Sequence, residues 1–216
     1  MLVLEQMTVN PVTIPSQMPV PEALALMREK KIRRLPVVDS HGKLVGIVSE
    51  KDLLYASPSP TTSLSVFEIP YLLSKIFVEK VMTKEVVTVS DDTPLESAAL
   101  LMADRKIGGL PVMKGDKLVG IITETDMFRA FLNLLGGRRR GVRVTASTSG
   151  VPGTIAKVAN AVFQAGGDIV GLGQTDTTTR GEPSWEITLK VQGVPKDKLI
   201  DALKPMVREI KDVRED

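Results

Sequence analysis

The chain of 216 residues has no cysteine and a single histidine, and each of these shortages excludes a class of site. Without thiols there can be no disulfide, no thiolate metal ligand and no cysteine nucleophile. His41 lies in the turn-like sequence Asp39-Ser40-His41-Gly42, with no catalytic serine motif or metal-ligand spacing around it. Glycine-rich loops of the kinds that bind nucleotide phosphates are also missing. We therefore predict a protein that is not an enzyme and requires no cofactor or metal.

Excess charge and long apolar runs are lacking as well. Lys and Arg number 28 against 26 Asp and Glu, a formal net charge of +2, and aromatic residues make up only 4% of the chain. This balance gives no general attraction to nucleic acid or to anionic membranes. No apolar run reaches the roughly 20 residues that span a bilayer, and the first residues do not form a signal peptide. We expect a soluble cytoplasmic protein with neither a membrane nor a nucleic-acid partner.

What the sequence does have is an internal repeat. The motif Ser49-Glu50-Lys51-Asp52 returns as Thr123-Glu124-Thr125-Asp126, and both copies follow a Leu-Pro-Val segment and a β-branched run interrupted by glycine. Each copy predicts a buried strand that leads into a helix, with a hydroxyl at the N-cap and a carboxylate in the first turn. The structural interpretation is helix capping. The functional one is a ligand site, because a carboxylate can accept hydrogen bonds from two ribose hydroxyls.

Matching apolar stripes predict the first helix of each repeat, and we assign both stripes to the core. The stripe residues are Val20, Ala23, Leu24 and Met27 in the first repeat, and Leu95, Ala98, Ala99 and Met102 in the second. The sequence Thr93-Pro94-Leu95-Glu96 predicts a capping box with Thr93 as the N-cap of the second of these helices. Residues from Val9 to Ile14 predict one continuous strand.

Residues 1 to about 135 resemble a pair of CBS domains, because several features of that family occur in both copies of the repeat. These are Met7-Thr8 and Met82-Thr83, Val12-Thr13-Ile14 and Val87-Thr88-Val89, the Leu-Pro-Val strands, and Ser49/Asp52 with Thr123/Asp126. The resemblance implies an α/β fold in which two repeats pack about a pseudo-two-fold axis. It also implies two clefts for an adenosine nucleotide or adenosyl compound, namely AMP, ADP, ATP or S-adenosylmethionine.

The resemblance assigns residues of this chain to parts of such a ligand. Asp52 and Asp126 would bind the ribose, and Ser49, Thr123, Arg33 and Arg34 would bind phosphate or ribose. Adenine would contact Val12, Val87, Pro36 and Pro111. Arg33-Arg34 in the first repeat becomes Gly108-Gly109 in the second, and guanidinium groups match phosphate oxygens. We therefore expect unequal clefts, of which the one lined by the arginines is better for phosphate, unless the arginines only face water.

The stretch between the repeats is unusually apolar for a connection. Leu72, Leu73, Ile76 and Phe77 fall on one face of a predicted helix, with Pro70 near its start. Such a helix must bury its apolar face. There are two alternatives: the helix packs on the core of the repeats, or it forms an interface between two copies of the chain.

From residue 141 onward the pattern changes to an alternation of strands and helices in the order β-α-β-β-α-β. With Val151-Pro152-Gly153-Thr154-Ile155 and Gly166-Gly167-Asp168-Ile169, this order resembles an ACT domain of ferredoxin-like fold. The resemblance implies pairing between domains, and an amino-acid effector or a pairing contact at Gly150, Pro152, Gly153, Asp168 and Ile169. The sequence departs from the family at Gly150, where an acid is common, and at Asp168, where Asn is common. These departures favour a pairing surface.

The expected organisation is therefore CBS repeat 1 (1–56), a connecting helix or linker (57–80), CBS repeat 2 (81–136), a linker (137–141) and an ACT domain (142–216). This order resembles acetoin-utilisation proteins of the AcuB type. The predicted function is non-catalytic regulation by a small-molecule effector, with the ACT domain forming a homodimer or a higher even-numbered homo-oligomer and acting on an unidentified downstream protein. The alternative is a structural or partner-binding scaffold with empty clefts. On the sensor hypothesis, replacing Asp52 or Asp126 abolishes binding with little loss of stability.

Overall fold

The computed structural model describes residues 1–56, 75–178 and 183–215. The chain divides into two compact units, Met1–Met127 and Phe128–Asp216. In the described ranges every helix is too short or too polar to cross a bilayer.

The first unit contains both sequence repeats apart from the last residues of the second, and each repeat has a small sheet with a helix before and after its hairpin. The first repeat consists of β1 (Thr8–Val9), β2 (Ile14–Pro15), α1 (Val20–Lys30), β3 (Arg34–Val38), β4 (Leu44–Ser49) and α2 (Glu50–Tyr55). The second consists of β5 (Val89–Ser90), α3 (Leu95–Arg105), β6 (Gly109–Lys114), β7 (Lys117–Thr123) and α4 (Glu124–Leu134). The predicted apolar stripes are confirmed, since the buried residues of α1 and α3 occupy equivalent positions: Val20, Ala23 and Met27, and Leu95, Ala98 and Met102.

The two repeats exchange their first segments. Strand β1 joins the sheet of the second repeat, whose order is β1-β7-β6-β5, and Thr8 pairs with Ile121. In the opposite direction, Thr83 forms a bridge with Ile47 of β4, in the first repeat. The prediction of one continuous strand from Val9 to Ile14 is therefore wrong. The chain changes sheets within this stretch, because its two ends pair with different repeats.

The predicted capping box at Thr93 is also wrong. The N-cap of α3 is Pro94, without a side-chain hydrogen bond, and the N–H of Leu95 donates to the carbonyl of Met1 at 3.0 Å. Helix α1 begins in the same way, because the N–H of Val20 donates to the carbonyl of Ile76 at 2.9 Å. A main-chain carbonyl from the exchanged segment thus replaces the side-chain cap in both repeats.

The helix predicted between the repeats falls mostly on residues 57–74, including Leu72 and Leu73, which lie outside the described residues. Its predicted end is not helical. Phe77 forms a bridge with Pro19, and Val78–Lys80 form a single 3-10 turn. These residues instead repeat the arrangement at the start of the chain, where Leu2 bridges Pro94.

The second unit has the β-α-β-β-α-β order that its sequence predicts. Its elements are β8 (Val142–Thr148), α5 (Thr154–Gln164), β9 (Asp168–Asp176), β10 (Trp185–Gln192), α6 (Lys196–Leu203) and β11 (Glu209–Glu215). The antiparallel sheet has the order β11-β8-β10-β9. Its core is formed by alternate residues of the central strands together with α5 and α6, among them Val144, Ile187, Leu189 and Leu199.

Candidate ligand-binding groove

Ser49 and Asp52 form a closed capping box at the start of α2. Ser49 is the N-cap residue with extended backbone, and its Oγ accepts a hydrogen bond from the N–H of Asp52 at 3.3 Å. In return, Oδ2 of Asp52 accepts bonds from the N–H of Ser49 at 2.8 Å and from its hydroxyl at 2.6 Å. The structural role predicted for the motif is therefore present. Oδ1 of Asp52 has no hydrogen-bond donor among the described residues, and that oxygen can still accept from a ligand.

The second copy of the motif has the same local geometry but a different environment. Oδ2 of Asp126 accepts from the N–H of Thr123 at 2.9 Å and from its hydroxyl at 2.6 Å. Asp126 is only 7% exposed, whereas Asp52 is half-buried. The two carboxylates thus accept the same pair of hydrogen bonds but differ in access to solvent.

A groove of about 430 Å³ opens beside the first copy. It contains four of the predicted site residues, namely Ser49, Asp52, Arg33 and Arg34. Its other side comes from the second repeat and from the exchanged segment, through residues that include Lys106, Gly108, Glu124 and Thr83. We call it the Ser49 groove. Because both repeats line it, a molecule bound there would contact both.

The other predicted residues of the first unit do not line the Ser49 groove: Thr123, Asp126, Val12, Val87, Pro36 and Pro111. Pro36 and Pro111 are buried in their hairpins, where they pair with Ile47 and Ile121. The contacts with adenine assigned to the two prolines and the two valines stay predictions.

Arg34 crosses from the first repeat to the second. A Cβ atom built on Gly109 would lie 3.0 Å from Cδ of Arg34, and one built on Gly108 would run into its guanidinium group. These glycines stand at the positions aligned with Arg33 and Arg34. The difference between the repeats therefore has a steric reason, because only one repeat can place an arginine across the other.

The guanidinium group of Arg34 has charged neighbours of both signs. Burial lowers the pKa of Arg34 from its ordinary value, Glu124 and Asp52 oppose this effect, and the neighbouring Arg33 adds to it. Arginine stays protonated despite such a shift. The half-buried cation thus lies in a groove that also contains Glu124 and Asp52, and its guanidinium group and the Glu124 carboxylate are both next to Gly108.

Sequence reasoning missed the contributions of Thr83, Gly108 and Glu124 to this groove. Thr83 belongs to the repeated Met-Thr pair, and Glu124 directly follows the motif residue Thr123. Thr83 and Glu124 therefore belong to motifs that the sequence shows. Their position in the groove depends on the exchange of segments between the repeats, which no local pattern shows.

His41 lies in an exposed turn, as predicted. The Oδ1 atom of Asp39 accepts hydrogen bonds from the N–H groups of His41 and Lys43, both at 2.9 Å. The described residues contain no cluster of histidine and acidic side chains that could hold a metal ion.

A second groove, of about 450 Å³, lies at the loop between β8 and α5. Gly150, Pro152 and Gly153 line it together with Trp185, so we call it the Trp185 groove. Gly150 has a φ of +65°, and a Cβ atom there would lie 2.6 Å from Nε1 of Trp185. A side chain at this position would meet the indole ring, so the acid that is common here in ACT domains requires the ring to move.

The remaining two residues predicted near this turn lie elsewhere. Asp168 is exposed at the start of β9, and Ile169 packs against the core of the second unit. Neither lines the Trp185 groove.

Known sequences resemble the first unit. Residues 3–59 and 78–133 match the family model of the CBS domain. The chain is 37% identical over 133 residues to the chloroplastic CBS domain-containing protein CBSX2 of Arabidopsis thaliana, covering 53% of this chain and 56% of that protein. It is 32% identical over 139 residues to L-aspartate semialdehyde sulfurtransferase of Methanocaldococcus jannaschii, covering 64% of this chain but 24% of the enzyme. The match thus spans only part of the length of these relatives.

Solved structures give the same result. A Vibrio cholerae protein assigned to acetoin utilization (AcuB) aligns with a TM-score of 0.53 and 36% identity, over 64% of this chain and 95% of that one. The CBS domain pair of protein MJ0100, solved with 5′-methylthioadenosine and S-adenosyl-L-methionine, aligns with a TM-score of 0.52 and 31% identity, over 64% of this chain and 98% of that one. With two matched copies that cover more than half of its residues, the chain belongs to the CBS domain family.

Proposed function

We propose that the chain is a regulatory protein that binds an adenosine nucleotide or an adenosyl compound in the Ser49 groove. The observation that carries this proposal is the convergence of Asp52, Arg33 and Arg34 on one groove lined by both repeats. The MJ0100 domain pair, which has a similar fold, was solved with two adenosyl compounds.

The side chains of the groove match the parts of such a ligand. Oδ1 of Asp52 can accept hydrogen bonds from ribose hydroxyls, since only Oδ2 is used by Ser49. Arg33 is exposed and its guanidinium group can bind a phosphate in a fork geometry. We assign the main site to this groove rather than to the region of Thr123 and Asp126, because Asp126 is buried.

Regulation would follow from the position of the groove between the repeats. Ser49 and Asp52 belong to the first repeat, and Gly108 and Glu124 to the second. A ligand that contacts both sides stabilises the arrangement of repeats that fits it best, and shifts the population toward that arrangement. A downstream protein that distinguishes the arrangements would then sense the ligand.

The alternative function is a scaffold that binds no nucleotide. The closed hydrogen bonding between Ser49 and Asp52 favours it, because the motif is satisfied as a helix cap without any ligand. The two functions differ in the role of Oδ1 of Asp52, which accepts hydrogen bonds from a ligand in the sensor but not in the scaffold.

Thermal unfolding of the full chain with AMP, ADP, ATP and S-adenosylmethionine separates the two. A ligand at 100 times its dissociation constant stabilises the folded state by about 2.7 kcal/mol. Asp52→Ala should abolish the shift. The control is Asp39→Ala, which removes a carboxylate that accepts two main-chain hydrogen bonds but does not line the groove, so it should retain the shift. If none of the compounds stabilises the native chain, the scaffold function is the correct one.

We further propose that the second unit is an ACT domain that joins two copies of the chain. Its β-α-β-β-α-β order and the Pro152-Gly153 turn support this assignment. Among the described strands, β9 and β11 each pair on one side only, and an unpaired strand edge can join the sheet of a second copy. Sedimentation equilibrium should give an even number of chains per particle, and a monomer at micromolar concentration would refute the assembly.

A further inference from the structure

We propose that Glu124 sets the charge preference of the Ser49 groove by competing with a ligand phosphate for Arg34. This inference rests on the function proposed above and concerns the same groove. Glu124 is the first residue of α4, is exposed, and lines the groove. In the native chain it favours adenosine derivatives with a neutral or cationic 5′ substituent over those with a 5′-phosphate.

The geometry places the two charged groups over a single glycine. A Cβ atom built on Gly108 would run into Nη2 of Arg34 and would lie 2.6 Å from Oε2 of Glu124. The carboxylate and the guanidinium therefore share the space that the missing side chain leaves. A phosphate that binds this end of Arg34 must enter the same space, where it meets a like charge.

The charges around the groove make Glu124 the acid best placed for this role. The basic residues are Arg33, Arg34, Lys51 and Lys106, and the acidic ones are Glu50, Asp52 and Glu124. Asp52 is engaged in the helix cap. Of the other two acids, Glu124 lies next to the guanidinium group at Gly108, and its charge opposes the lowering of the Arg34 pKa by burial. Removing Glu124 therefore frees Arg34 without breaking a cap.

The chain offers a matched control for this experiment. Glu50 directly follows Ser49 as Glu124 follows Thr123, and both acids begin a helix and line the same groove. The main-chain contacts are also equivalent, because the N–H of Glu50 donates to the carbonyl of Arg33 at 2.9 Å and that of Glu124 to the carbonyl of Gly108 at 3.2 Å. Glu50→Gln thus removes the same charge from the groove, but not from Arg34.

The test is isothermal titration of the full chain with AMP and with S-adenosylmethionine at low ionic strength. Glu124→Gln should raise the affinity for AMP by about fivefold, as expected when one exposed like charge next to the phosphate is removed. The affinity for S-adenosylmethionine should fall or stay constant, because its sulfonium is a cation. Glu50→Gln should change the ratio of the two affinities much less. Glu124→Ala provides a second variant in which no amide can replace the carboxylate.

Two failures can be distinguished. If either compound binds and Glu124→Gln leaves the ratio of affinities unchanged, or changes it no more than Glu50→Gln does, the inference is wrong and the proposed function stands. If neither compound binds and ADP and ATP do not stabilise the native chain either, the proposed function and the inference are both wrong. If only ADP or ATP binds the native chain, the proposed function stands and the inference is wrong.

Discussion

The side chain of Met82 lies directly against Gly46, so that a Cβ atom at Gly46 would be 2.5 Å from the methionine sulfur. Met7 contacts Gly120 in the same way in the second repeat. Each methionine precedes the threonine that pairs with the other repeat's sheet. Glycine interrupts both β-branched runs because only its lack of a side chain leaves room for the exchanged methionine.

Replacing Gly120 by alanine should destabilise the first unit. The new methyl group would meet the sulfur of Met7 and lie 3.2 Å from the carbonyl oxygen of Thr8. The methionine can move, but the strand backbone cannot move without loss of pairing, so we expect a loss of about 1–3 kcal/mol in the free energy of unfolding. Urea denaturation measures it. In a double-mutant cycle with Met7→Ala, additive effects would show that the contact is not the cause.

The two acids of the repeated motif should differ in their importance for stability. The sequence suggests that either acid can be replaced with little loss of stability. In the structure, however, each acid accepts two hydrogen bonds at the start of a helix. Asp52→Ala should cost about 1 kcal/mol, typical of a lost cap. Asp126→Ala should cost about 2–3 kcal/mol, because a residue 7% exposed leaves its donors without water as a substitute. Equal losses in urea denaturation would contradict this explanation.

Periodicity and repetition predict most elements of the fold, but they fail where a partner comes from a distant part of the chain. Thr93 has every local feature of an N-cap, yet the N–H of Leu95 is satisfied by the carbonyl of Met1. The same limit explains the wrong strand from Val9 to Ile14, since its two ends pair with different sheets. Local propensity cannot show which repeat a short segment joins.

The candidate site was predictable to a similar extent. The repeat indicates Ser49 and Asp52 as strongly as Thr123 and Asp126, and only the first pair lines the Ser49 groove. The difference between the repeats indicates Arg33 and Arg34, whose role in binding stays a prediction. The sequence could not show that Arg34 lies across Gly108, because that contact depends on the packing of one repeat against the other. The same packing brings Glu124 to the guanidinium group.

Arg34 and Arg33 should therefore contribute unequally to stability. Arg34 is half-buried and its aliphatic part packs on Gly109, whereas Arg33 is exposed. We expect Arg34→Ala to lower the free energy of unfolding by about 1 kcal/mol through lost packing, and Arg33→Ala to change it by less than about 0.5 kcal/mol. Thermal and urea unfolding of the two variants give the comparison. A larger effect of Arg33→Ala would show that the packing of Arg34 on Gly109 contributes little to stability.

The Trp185 groove allows a test in the second unit, because Trp185 is the only tryptophan of the chain and its fluorescence reports on this loop alone. Gly150 and Gly153 both have positive φ, of +65° and +84°. A Cβ atom on Gly150 would meet atoms of Trp185 and Pro183 within 4 Å, whereas one on Gly153 would point into open space. Alanine at either position incurs a backbone cost of about 1–2 kcal/mol.

Gly150→Ala should therefore cost more than Gly153→Ala, by about 1 kcal/mol or more, since the methyl group must displace the indole ring. It should also shift the emission of Trp185 to longer wavelength in the folded protein, because the displaced ring is more exposed to water. Gly153→Ala should leave the emission of the folded protein unchanged, and it serves as the control for backbone strain. Equal losses of stability with identical emission spectra would mean that the ring does not pack on Gly150.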